Sequence, residues 1–340
     1  MRVTPFQSPV CFSDLKFHHP ETRKNEHRRN WWHFDAVSDD SNSLLVILMT
    51  NDYPYRQDHQ KPLTQKSPAA HPAVSLTFIH ENKKIARLVN LFPTDSISIS
   101  NETVRIGDFA LDSISTPYGT GLRLNGTIKD EDIGWFNISL EWLAIEADLS
   151  PAKIVPFGAD VWNIAMPRAD VTGEISFLGR NGEKHFRFHG TGYHDRRSSD
   201  RESIIIRNIF RSHCHFSDKT VVAGIFGNDE GDSVSEALII ENNELHQPLI
   251  IEHTGQLRLT SGKMRQHFWS FESQDQMLLK ITQKEMFDTG GTFVRGIADF
   301  ELTEKSDLVN KGSGLFEMVR RDWSDPGWAE WLADIGLVRR

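Results

Sequence analysis

Apolar residues in this chain return at every second position, in short runs separated by Gly, Asn, Asp and Ser, and that period commits the fold to β-sheet. Leu44-Leu45-Val46-Ile47-Leu48-Met49 is a continuous apolar run between Ser-Asp-Asp-Ser-Asn-Ser and Asn51-Asp52. Its length and flanks favour a buried strand over a helix. Residues 74–80 alternate, and the charged turn Glu81-Asn82-Lys83-Lys84 leads into 85–92, which reads as a hairpin. Strands are expected at 104–111, 121–128, 135–145, 171–178 and 184–189. The last two flank Arg180-Asn181-Gly182-Glu183, whose Asn-Gly is a strong hairpin signal. Many short strands at intervals of about ten residues predict an all-β sandwich or barrel.

The rhythm restarts after a polar stretch at 198–202, with strands expected at 204–210, 213–216, 221–226, 237–241, 249–253, 267–272, 277–284 and 293–301. Leu44 to Asp52 (LLVILMTND) also echoes Val221 to Asp229 (VVAGIFGND). Two similar β modules, residues 1–200 and 201–340, account for both observations. Two segments break the pattern. Residues 53–72 are polar and Pro-punctuated and read as a long loop. Ser324 or Asp325, Pro326, the spacing of Trp328, Leu332 and Ile335, and Gly336 together predict a short C-terminal helix.

Composition narrows the function. A net charge of −9 argues against a nucleic-acid partner, which requires a basic surface. Cys11 and Cys214 are the two cysteines, too few for a disulfide framework. The N-terminal residues lack the apolar core of a signal peptide, and no window approaches a membrane helix. A cytoplasmic protein is therefore expected, and the sequons at Asn101, Asn125 and Asn137 read as ordinary strand and turn residues. Aromatic residues make up 10% of the chain, which suits packed sheets or a pocket for a flat, greasy ligand. The oligomeric state is open.

Chemistry concentrates in Gly190-Thr191-Gly192-Tyr193-His194-Asp195. Glycines at alternate positions leave one strand face bare, where a bulky group can approach the backbone. Tyr193, His194 and Asp195 follow as three proton-transferring candidates. Parity puts Tyr193 and Asp195 on one face and His194 on the other, unless the glycines admit a bulge. The structural alternative pairs Asp195 with Arg196 or Arg197. In Trp31-Trp32-His33-Phe34-Asp35 the same rule groups Trp31, His33 and Asp35, and leaves Trp32 and Phe34 for the core. Trp31, Asp35, Trp162, Arg196 and Glu317 are candidate substrate-binding residues. Gly312-Ser313-Gly314-Leu315-Phe316-Glu317 delivers a further carboxylate, Glu317, which could equally form an ion pair with Arg320 or Arg321. His213 and His215 share a strand face but lack further ligands at metal spacing, so no metal site is expected. The chain has no Gly-rich phosphate loop, no Gly-x-Ser-x-Gly elbow and no His-Glu-x-x-His helix.

Taken in order, Trp31-Trp32-His33-Phe34-Asp35-Ala36, Met166-Pro167-Arg168-Ala169-Asp170-Val171-Thr172-Gly173, Gly190 to Asp195 and the Gly-x-Gly-x-Phe-Glu ending at Glu317 resemble the lipocalin-like carotenoid 1,2-hydratases (hydroxyneurosporene synthases). The fungal decalin-forming Diels–Alderases share that fold, and the Pro-Arg-Ala and Gly-x-Gly-Tyr-His-Asp strings look closer to that branch. The resemblance spans roughly residues 30 to 320. It implies two tandem lipocalin-like antiparallel β-barrel domains and an apolar pocket. It also implies no metal or organic cofactor, and a hydrophobic polyene, terpenoid or polyketide as substrate. Cyclisation or isomerisation is the leading expectation, with alkene hydration and non-catalytic carriage as alternatives. The chain departs from the pattern after Asp195, where Arg196-Arg197-Ser198-Ser199 replaces the family's His-Asn-Trp-Gly. An aromatic pocket wall is lost there, and two cations are gained.

Overall fold

The computed structural model describes residues 28–53, 71–81, 83–100, 102–117, 119–130, 134–145, 152–154, 160–179, 182–200, 206–228, 233–241, 244–250, 268–272, 277–289, 293–304 and 309–320. All regular structure among them is β-strand. Of the loop expected at 53–72, Tyr53, His71 and Pro72 are strand residues and 54–70 lie outside the described residues, as does the expected C-terminal helix. The chain divides into two compact units, 1–155 with 159–203, and 156–158 with 204–340.

The first unit holds β1 (Arg28–Ser38), β2 (Ser43–Tyr53), β3 (His71–His80), β4 (Lys83–Leu91), β5 (Ile97–Ile99), β6 (Thr103–Ile106), β7 (Phe109–Thr116), β8 (Gly119–Asp130), β9 (Gly134–Ala144), β10 (Ala152–Ile154), β11 (Val161–Gly179) and β12 (Gly182–Asp200). They form one sheet in the order β4-β3-β2-β1-β12-β11-β9-β8-β7-β6-β5, with β10 on β11. The sheet curls until β4 approaches β8 and β3 approaches β6. Its concave face is filled by Trp32, Phe34, Met49, Phe78, Phe136, Trp142 and their neighbours, all buried. This is a packed interior.

The second unit holds β13 (Ile206–His215), β14 (Lys219–Asn228), β15 (Ser233–Glu241), β16 (Glu244–Ile250), β17 (Phe268–Glu272), β18 (Leu278–Thr289), β19 (Phe293–Thr303) and β20 (Val309–Arg320). Its order, β16-β15-β14-β13-β20-β19-β18-β17, repeats that of β4 through β8 in the first unit, with β13 in the place of β1 and β20 in the place of β12. The strands that echo each other in sequence, β2 and β14, are thus topological equivalents. Their residue-by-residue match is nonetheless out of phase. Leu45, Ile47 and Met49 face the first core, whereas Val221, Ala223 and Ile225 face the second. The nine-residue likeness aligns inward positions with outward ones. It reflects two strands of similar burial more than an aligned repeat.

Several expectations on element boundaries are corrected by turn and bulge chemistry. The run at 104–111 is two strands, because Gly107 takes φ of +56° and turns the chain under the Phe92 ring. The runs at 204–210 and 213–216 are one continuous strand. β11 and β12 pair as a hairpin, Gly179 opposite Gly182, with arms far longer than the alternation suggested, and β12 continues through the 198–200 stretch read as linker. No bulge interrupts β12, whose register against β1 is unbroken from Gly190 to Asp200. The irregularities fall in β11 around 165 and 167–168, where Pro167 has no amide hydrogen to donate. Asn125 and Asn137 are strand residues accepting cross-strand hydrogen bonds from Ser139 and Thr127 at 2.8 and 3.0 Å.

Candidate functional site

The β1–β12 pair sets the geometry. Its register places Trp31 opposite Arg197, His33 opposite Asp195 and Asp35 opposite Tyr193. In β11, Trp162 and Ile164 lie beside Arg197 and Asp195. All these side chains leave the sheet on the face away from the packed interior, as strand parity requires. That second face is buried too: Asp195 is 0% exposed, Asp35 1%, Tyr193 and Trp162 2%, and His33 6%. Val46 and Leu48 of β2 continue it and are likewise buried. Burial on both faces explains why Leu44 to Met49 is continuously apolar rather than alternating.

Four ionisable side chains form two interlocked pairs. His33 Nε2 lies 2.9 Å from Asp35 Oδ2, and the Tyr193 hydroxyl donates to Asp195 Oδ2 at 2.9 Å. Each bond joins residues two apart on one strand, and the cross-strand register sets each acid opposite the other pair's partner. The His33 and Tyr193 rings meet edge to face with centroids 6.3 Å apart. Beside them Arg197 bonds Asp160 Oδ1 at 3.3 Å and lies over Trp31, 4.9 Å from the ring centroid. A site of this kind can take up, hold and return a proton next to aromatic walls.

His194 and Arg196 are not brought to this face. The His194 ring stacks on Phe34 within the core, centroids 4.0 Å apart and planes 8° from parallel, and its Nδ1 lies 2.8 Å from the His33 carbonyl oxygen. Burial lowers its pKa from 6.5 to about 4, so the ring is neutral at neutral pH. Arg196 donates to Asn30 Oδ1 at 3.0 Å and lies over Trp32. Glu317 belongs to the second unit. There it bonds Arg211 at 2.6 Å and also accepts from Arg295 Nε, while Arg321 and the Arg320 side chain, the partners considered from sequence, lie outside the described residues. The strand register, invisible in sequence, sets Arg211, Glu317 and Arg295 opposite one another on β13, β20 and β19.

The glycines serve packing. A Cβ at Gly192 would fall 2.7 Å from Trp142 Nε1 and 2.6 Å from the Asp35 carbonyl oxygen, and one at Gly190 would fall 2.1 Å from the Val37 carbonyl oxygen. The bulky group that approaches this bare face is the Trp142 indole, whose Nε1 reaches the Asp35 carbonyl at 3.4 Å. Trp142 thereby braces the backbone behind the Asp35–Tyr193 pair from the core side. Asp160 and the role of His33 as the Asp35 partner complete the site. Asp160 carried no signal in sequence, since it follows Pro156-Phe157-Gly158-Ala159, a string without periodicity. Cys214 faces the second core, His213 and His215 the opposite side, and among the described residues no group of three side chains could hold a metal.

No family model and no curated protein matches the sequence. Solved structures do match in fold. A putative AttH from Nitrosomonas europaea superposes with TM-score 0.60 at 13% identity, covering 94% of this chain and 100% of that one. Kievitone hydratase from Nectria haematococca gives 0.58 at 14% identity, over 94% and 97% of the two chains. CghA, crystallised with Sch210972, gives 0.56 at 10% identity over 86% and 88%. The tandem lipocalin-like β architecture expected from sequence is the fold of this chain, and at such identities the likeness extends to the fold alone.

Proposed function

We propose that the protein is an enzyme that cyclises or isomerises a bulky, apolar, unsaturated small molecule by acid–base assistance from His33–Asp35 and Tyr193–Asp195. The observation that carries the reading is the burial of these two coupled pairs on a sheet face that the core does not use, between Trp31 and Trp162. A polyene, terpenoid or polyketide with one carbonyl would lie along the aromatic wall, and holding its reacting carbons together supplies several kcal/mol. A proton directed at the developing enolate-like oxygen, from the Tyr193 hydroxyl or the His33 imidazole, would contribute roughly 2 to 4 kcal/mol. Asp35 orients the imidazole, and Asp195 accepts the Tyr193 hydrogen bond and so positions that hydroxyl, which exchanges this bond for one to the substrate oxygen. His194 and Arg196, on the opposite face, have no part in this scheme.

Hydration of an alkene is the second reading, and one observation favours it. Arg196 turns to the other face and Arg197 is engaged by Asp160, so the two cations that would resist protonation of a carboxyl here are removed or compensated. A neighbour named as a hydratase has the same fold. Carbonyl-bearing polyenes incubated with the protein in D2O separate the outcomes. An isomer of changed skeleton or shifted double bond supports the first reading, and addition of one water supports the second. Unchanged ligand that co-purifies would mean carriage and would reject catalysis. Asp35→Asn and Tyr193→Phe should each slow turnover by about 100-fold. Folded variants with undiminished rates would remove this site from consideration.

A further inference from the structure

On the reading just proposed for the His33–Asp35 and Tyr193–Asp195 site, we infer that Arg197 fixes the sign of the charge that site can stabilise. Its substrate is then a carbonyl compound that reacts through an enolate-like oxygen, and not an alkene that reacts through a carbocation. Strand parity puts Arg197 on the face of Tyr193 and Asp195, one two-residue step beyond Asp195, about 7 Å along β12. The register sets Trp31 of β1 on one side of it and Trp162 of β11 on the other. The row Trp31–Arg197–Trp162 therefore borders the row His33–Asp195–Ile164.

A cation that develops in an apolar site needs an electron-rich face, and an indole is the best a protein offers. Here the Trp31 face is taken. The Arg197 guanidinium carbon lies 4.9 Å from the Trp31 ring centroid, within cation–π range, and Arg197 is 7% exposed. A guanidinium keeps its proton at every working pH. It also donates to Asp160 Oδ1 at 3.3 Å, and Asp160 is 1% exposed. Trp162 offers no alternative, because it flanks the same Arg197 one strand spacing away, about 5 Å between backbones.

A carbocation against either indole would thus stand beside a fixed guanidinium, and burial strengthens their repulsion. The same charge attracts an oxygen that is gaining electrons. Asp35 and Asp195 are the anions of the neighbouring rows, and they are engaged by His33 and Tyr193. Asp160 moderates the field of Arg197 at long range, but it anchors the guanidinium on the indole rather than lifting it off. Arg197 thereby acts as the specificity-determining residue of the aromatic wall, and Asp160 as its positioning residue.

Isothermal titration of the full-length protein with three probes of similar chain length reads the sign directly. Decanoate stands for an oxyanion, decyltrimethylammonium for a carbocation and 2-decanone for the neutral substrate. Wild type should bind decanoate at least about tenfold more tightly than decyltrimethylammonium. Arg197→Gln should bring that ratio to about one, by opening the Trp31 face to the ammonium, and should change 2-decanone binding less than about twofold. Arg197→Lys, which keeps a cation over the ring, should preserve most of the preference. The double variant Arg197→Met/Asp160→Leu guards against misfolding, because exchanging a buried ion pair for apolar residues is tolerated, and it should lose the preference as Arg197→Gln does. A merely structural pair would change the melting temperature and leave the ratio as it was. Equal or tighter ammonium binding by the wild type, or an unchanged ratio in either folded variant, would overturn the inference. Tyr193→Phe should weaken 2-decanone about fivefold, the scale of one net hydrogen bond. No effect there, or no binding of any probe, would reject the site itself and the role of Arg197 with it.

Discussion

His194 provides the sharpest test of which sheet face does what. If its ring is a core residue, the fold must become less stable in acid for a calculable reason. In the unfolded chain the imidazole titrates near 6.5, and in the folded chain near 4, because burial against Phe34 disfavours the cation. Between those values the unfolded state binds the extra proton. Stability therefore rises with pH through this window, and its His194 component is lost as pH falls from about 6.5 towards 4. At pH 4.5 the loss should be roughly 2 to 3 kcal/mol relative to pH 7.5. His194→Phe keeps a ring over Phe34 but cannot take up a proton. Urea unfolding of wild type and variant at pH 7.5 and 4.5 isolates the effect, since other titrating groups are common to both. The gap between the two proteins should shift by that amount in favour of the variant on acidification. In parallel, the His194 ring resonance should stay in its neutral form down to about pH 4. Parallel stability curves, or titration near 6.5, would refute the core assignment and return His194 to the list of active groups.

Three further outcomes follow from the packing. Gly192→Ala should destabilise by about 1 to 3 kcal/mol in chemical denaturation, because its Cβ would meet the Asp35 carbonyl and the Trp142 indole, and a wild-type midpoint would contradict the close approach. Glu317→Ala should cost about 3 to 5 kcal/mol by removing the buried carboxylate that bridges the Arg211 and Arg295 guanidinium groups in the second unit, whereas a loss under 1 kcal/mol would show that pairing to be incidental. Cys214 should resist iodoacetamide at pH 8 in the native protein and react once unfolded, since burial holds its thiol at about 12; rapid native labelling would mean the second core is open to the reagent.

Much of the fold was legible in sequence because alternation is a local property. Strand identity, the tandem division and the hairpin at Gly182 all come from residues within a few positions of one another. The grouping of Trp31, His33 and Asp35, and of Tyr193 with Asp195, was legible for the same reason: parity is counted along one chain. Motifs misled where a pattern had two physical uses. Glycines at 190 and 192 signalled a close approach correctly, but the approaching group is Trp142 rather than a ligand. Arg196 and Arg197 stand side by side in sequence and separate to opposite faces in space, one over Trp32 and the other over Trp31.

What the linear chain determined by itself is the period of two, and with it which side chains share a face. What tertiary structure alone decided is which face becomes the packed interior, which residues meet across strands, and therefore that His33–Asp35 comes to lie against Tyr193–Asp195. The reason is that a one-residue change of register exchanges every inward side chain for an outward one without altering any local preference. Only the summed burial of the whole sheet selects between the two.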